Sequence, residues 1–115
     1  MTTYADLSLF EDVDGLIGAA VFEGSGTAPV MQYNSANARI DLAKVGSLAN
    51  NVMINARDTA RKTGSGHCGM IHVHATEAHI LVESLGRDTN ANLVVLLDKQ
   101  CNLGLARSAL KRYIS

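Results

Sequence analysis

The sequence predicts an α+β fold: one five-stranded, mostly antiparallel sheet with helices on both faces. Three observations predict it. The stretch Ala38–Lys62 lacks proline and turn clusters and carries apolar residues at helical spacing. Two hairpin-like strand pairs flank that stretch. Finally, Ala91–Leu97 is an unbroken aliphatic run, the pattern of a central strand covered on both faces. At 115 residues the chain is read as a single domain spanning 1–115.

The elements follow in the order α-β-β-α-β-β-β-α. Leu7, Phe10 and Val13, three apart, predict a short first helix or a single turn. Gly15–Phe22 reads as a buried strand, and Glu23-Gly24-Ser25-Gly26 as the turn after it. Ala28–Tyr33 is a weaker strand. Its Pro29 cannot donate to a ladder and places it at a sheet edge. In Ala38–Lys62, the residues Leu42, Val45, Leu48, Ala49, Val52, Met53, Ala56 and Ala60 share one side and are expected to cover the sheet. Asn34, Ser35 and Asn37 offer caps, and Thr63-Gly64-Ser65-Gly66 stops the helix. From His67 the period changes to two. His67–Ala75 and His79–Leu85 form strands joined by a tight turn at Thr76-Glu77. The polar loop Gly86–Asn90 leads to the central strand, and Asn102–Tyr113 closes the chain as a helix.

Composition excludes several classes. Tryptophan is absent and only 4% of residues are aromatic, so the core is aliphatic. The net charge of −1 and the lack of a basic run argue against nucleic acid. The strands also lack the aromatic pair that RNA-binding sheets stack on bases. No apolar run approaches the ~20 residues of a membrane span, and the N-terminus lacks the pattern of a signal peptide. Cys68 and Cys101 lie far apart without a Cys-x-x-Cys motif, so a reducing, cytoplasmic setting with free thiols is expected.

The chain resembles the Roadblock/LC7 family from about Val13 to Ile114. The resemblance is carried by Gly15–Phe22 with its glycine turn and by the long alanine-rich helix. The Gly86-Arg87-Asp88 loop and the Asn92–Leu97 strand also match. Profilin-like and longin-like folds share this layout. The resemblance implies a homodimer in which two long helices lie antiparallel and the strand His67–Ala75 pairs with its twin. It implies an interface at Ala43, Ser47, Asn50, Ile54, Arg57, Met70, His72 and His74. Family members serve as platforms for small Ras-like GTPases, dynein motors and lysosomal scaffolds, and bacterial members often regulate a separate Ras-like GTPase. The short segment before the first strand departs from the family pattern.

The histidines are the main chemical candidates. His72 and His74 lie two apart in a strand and share a face. A two-residue turn at Thr76-Glu77 sets His74 opposite His79, so three imidazoles cluster as a possible metal site. Cys68 and Glu83 occupy neighbouring positions of that face. Other motifs carry less. Gly64-Ser65-Gly66 follows a helix, the reverse of a phosphate-cradling loop, which argues against GTP binding by this chain. There is no Gly-x-Ser-x-Gly elbow. His67 and Cys68 are strand neighbours that point apart, and no paired carboxylates mark a hydrolase. Arg87 in the loop is exposed for a partner.

The functional expectation is a non-catalytic homodimeric adaptor without a cofactor. Its expected partner is a small Ras-like GTPase whose nucleotide cycle it modulates. The alternative is a small-ligand or metal sensor using the His72/His74/His79 face.

Overall fold

The computed structural model describes residues 4–24, 28–35, 40–86 and 90–114. The first helix is reduced to one 3₁₀ turn, Leu7–Phe10, capped by the Asp6 side chain. The strands are β1 (Leu16–Glu23), β2 (Met31–Asn34), β3 (Met70–His74), β4 (Ala78–Ser84) and β5 (Ala91–Asp98). The helices are α1 (Leu42–Lys62) and α2 (Leu103–Ile114).

All four strand pairings are antiparallel, in the order β2-β1-β5-β4-β3. The expected central strand is β5, buried along all but its last residue. The expected edge strand is β2. Because β2 and β3 lie at opposite edges, α1 must carry the chain across the whole sheet. Its 21 residues span about 31 Å at ~1.5 Å per residue. Four strand spacings of ~4.8 Å need only about 19 Å, so the helix crosses with length to spare.

Side-chain alternation divides the core into two layers. On one face Ala19, Val21, Leu81, Leu93, Val95 and Leu97 pack under the 3₁₀ turn and α2, which supply Phe10, Ala106, Ala109, Leu110 and Tyr113. On the other, Ala20, Phe22, Val82, Val94 and Leu96 pack under Leu42, Ala49 and Met53 of α1. Gly46 is a close contact between helix and sheet. A Cβ there would come within 2.7 Å of the Phe22 ring.

Three sequence expectations need correction. The long helix starts at Leu42, not Ala38. Asp41 caps it, its carboxylate accepting from Lys44 N at 3.3 Å. Asn34 instead ends β2, and Ser35 N donates to Ile17 O; Asn37 lies outside the described residues. Second, β3 starts at Met70, because the chain crosses Gly69 irregularly and Cys68 packs on the α1 layer rather than beside the histidines. Third, the sheet-facing side of α1 is rotated. Leu42, Gly46, Ala49, Asn50 and Met53 are buried, whereas Leu48 is 61% exposed and Val52 48%. At ~100° per residue, Val52 and Leu48 stand about 90° and 130° from the middle of the Leu42/Gly46/Ala49/Met53 stripe. Apolar spacing counted them as core. The contact at Gly46 and a buried polar group at Asn50 turned the helix away from them.

Candidate interaction surface and histidine cluster

Three features stand out beyond the core. The first is an apolar margin on α1. Leu48 and Val52 lie open, and Val45 beside them is half-buried. The opposite flank carries Ile54, Arg57 and Asp58, which face Gly24 and Asn90 across a cleft. The Leu48/Val52 flank therefore turns away from that cleft, and α1 also packs on β4 and β3. There Ile71 and Ile80 are half-buried on the same core layer as Val45. Strand β3 pairs only with β4 among the described strands, so its outer backbone edge has no strand on it. Unpaired edges with apolar neighbours are templates for another chain.

The second feature is the histidine cluster. The turn is the expected two-residue one: Ala75 N donates to Ala78 O at 3.0 Å, and His74 stands opposite His79. The rings meet, with centroids 4.4 Å apart for His74 and His79 and 5.1 Å for His72 and His79. Arg107 of α2 reaches His72 Nδ1 at 3.2 Å, and His72 Nε2 lies 2.9 Å from His79 Nδ1. Guanidinium can only donate. His72 Nδ1 must therefore accept, His72 Nε2–H donates to His79, and the His79 proton sits on its own Nε2. The hydrogen-bond pattern thus fixes both tautomers. Burial, reinforced by His79, Arg107 and His74, holds the His72 imidazole below its usual range. Both nitrogens of His72 are engaged in this relay, and a cation stands beside it. Among the described residues no set of three or more His, Cys, Asp or Glu side chains is disposed to hold a metal ion.

The third feature was invisible in the sequence. Asn50 and Asn92 are completely buried. Asn50 Nδ2 donates to Gly24 O at 2.8 Å, and Asn92 Nδ2 donates to Asn50 Oδ1 at 2.8 Å. Arg57 Nη2 then donates to Asn92 Oδ1 at 2.7 Å. This chain of donors ties α1 to the end of β1 and the start of β5. The expected interface residues therefore divide. Asn50 is interior and cannot meet a twin, and Arg57 turns partly inward to Asn92. Ala43, Ser47 and Ile54 are half-buried on the flank away from Leu48 and Val52. Met70, His72 and His74 lie on β3, facing the α2 layer. Arg87 and Asp88 lie outside the described residues. Asparagines in a sequence look like surface; only the bond between Asn50 and Asn92, 42 positions apart, reveals a buried pair.

No protein-family model matches the chain, and no curated protein matches it in sequence. Solved structures do match. A Roadblock/LC7 domain from Streptomyces avermitilis superposes with a TM-score of 0.76 at 13% identity, covering 93% of this chain and 86% of that one. MglB from Myxococcus xanthus gives 0.75 at 17% identity, covering 92% and 82%. The gliding protein MglB from Thermus thermophilus gives 0.77 at 15% identity, covering 94% and 78%. A further match is described as MglB with tetrameric arrangement. The chain thus has the Roadblock/LC7-like fold.

Proposed function

We propose that this chain is a non-catalytic adaptor that self-associates into a homodimer and presents the paired surface to a small Ras-like GTPase, whose nucleotide cycle it modulates. The observation that carries the reading is the open Leu48/Val52 flank taken together with the unpaired edge of β3. Two copies related by a two-fold axis would bury the two flanks against each other and continue the sheet from β3 to its twin. An isologous contact of this kind is the commonest way soluble chains pair. The proposed interface residues are Leu48 and Val52 with Met70, His72 and His74 of the edge strand. Ile54 is removed from it, because its flank faces Gly24 and Asn90.

The GTPase partner rests on the family resemblance and on the MglB folds that superpose on this one. Modulation would act by ordering the GTPase's own residues; an inserted arginine would be the direct alternative. Light scattering checks the first half: the wild-type chain runs as a dimer and Leu48→Asp as a monomer. A monomeric wild type at tens of micromolar would sink the reading. Capture of a Ras-like GTPase from native lysate, followed by single-turnover GTP hydrolysis with and without this chain, checks the second half. No change in hydrolysis or nucleotide release removes the regulatory role.

A further inference from the structure

Arg57 is a charged group whose one side-chain hydrogen bond among the described residues goes to a neutral acceptor. Its side chain is partly buried at the inner side of α1. Nη2 is bonded to a neutral acceptor, Asn92 Oδ1. Its Nε is buried without a hydrogen-bond partner, and among the described residues it is the one buried side-chain polar atom in that condition. The nearest carboxylate in sequence is already taken. Asp58 accepts from Arg61 at 2.7 Å and from Lys62 Nζ at 3.0 Å. Those two cations, Arg61 first, hold its carboxyl below the usual range. No described carboxylate lies within ion-pairing distance of Arg57. A half-buried cation with an orphaned donor is costly unless something answers it.

The space for an answer is present. Arg57 lines a cleft of about 500 Å³ with Gly24, Ile54, Asn55, Asp58, Arg61 and Asn90. Among the described lining residues there are two guanidinium groups, Arg57 and Arg61, against one carboxylate, Asp58. Asn55 and Asn90 add amides. The Asn50–Asn92 pair holds Arg57 from behind, fixing the guanidinium before any ligand arrives, and such preorganisation lowers the entropic cost of binding. A planar guanidinium matches the oxygens of a carboxylate or phosphate better than an ammonium does.

We propose that the Arg57 cleft is a binding site for an oxyanion, a carboxylate or phosphate group that accepts from the Arg57 guanidinium. The site does not depend on self-association, since it lies on the Ile54 flank of α1, away from Leu48 and Val52. The dimer leaves it open.

The test uses the whole chain labelled with ¹⁵N. Inorganic phosphate and acetate are titrated separately against sodium chloride at equal ionic strength, because general screening acts on every surface charge. The Arg57 Nε–H resonance and the Asn92 side-chain amide are expected to shift and saturate with single-site behaviour for at least one of the two. Which anion saturates distinguishes a phosphate site from a carboxylate site. Arg57→Gln is expected to weaken binding about tenfold or more, as loss of a charge-assisted hydrogen bond does, followed on the Asn90 and Asn92 amides. Lys99→Gln, a charge-matched change elsewhere, leaves binding unchanged. Shifts equal to those in chloride, or equal binding by Arg57→Gln, overturn the proposal. Should Arg57→Gln fail to fold, the wild-type Nε–H titration decides alone: a saturable shift supports the site and a chloride-like response refutes it.

Discussion

At the scale of single residues, His72 and Asn92 make opposite uses of polarity. The Arg107–His72–His79 relay needs a neutral His72. A proton on His72 Nδ1 would face the Arg107 donor. Folding therefore favours neutral His72, in keeping with its lowered pKa. This contribution is fully present above the ordinary value of 6.5. It is lost as pH falls below that value toward the lower folded one. Urea midpoints should accordingly drop between neutral pH and about pH 5, and His72→Gln should flatten that slope; an unchanged slope would show that the relay carries no linkage. Asn92 is different because it does not titrate. Asn92→Ala strands Asn50 Oδ1 and Arg57 Nη2, and a loss of about 1–3 kcal/mol is expected in urea unfolding. The histidine cluster was legible in sequence, since period two and a two-residue turn are local rules. Arg107 and the Asn50–Asn92 pair were not, because they depend on how helices dock.

At the scale of elements, α1 shows how docking overrides pattern. Its 100° periodicity identified a helix and both ends to within four residues. It misjudged the rotation, because two of the large apolar residues, Leu48 and Val52, are not buried, whereas Gly46 and Asn50 are. Gly46 sets the closeness of α1 to β1. Ala is a better helix former than Gly by about 1 kcal/mol, so an exposed glycine here would be improved by the change. Against the Phe22 ring the added methyl has no room. Gly46→Ala is expected to lower stability by a net ~1–3 kcal/mol, as overpacking does, read as a lower thermal midpoint. A stabilised variant would mean that α1 can lift from the sheet without loss. The start of α1 gives a smaller effect. Asp41→Ala removes the cap and should cost about 1 kcal/mol.

At the scale of the whole molecule, the unpartnered surface matters most. Leu48→Asp and Val52→Asp each place a charge in the proposed contact and should shift the light-scattering mass from dimer to monomer without lowering the folded monomer's stability. Ile54→Asp should leave the dimer intact. The reverse pattern, with Ile54→Asp alone giving monomers, would return the interface to the flank that faces Gly24 and Asn90.

Strand number, strand order along the chain, the buried central strand and the histidine turn were determined by sequence alone. Each rests on spacings of two to four residues, which covalent geometry translates directly into a shared face. The rotation of α1, the interior asparagines, the cation left open at Arg57 and the apolar flank at Leu48 and Val52 were decided only by tertiary structure. The reason is that two layers can close on a sheet only where the surfaces fit. A glycine against a phenylalanine ring, and two amides that satisfy each other, fit better than a longer row of leucines and valines.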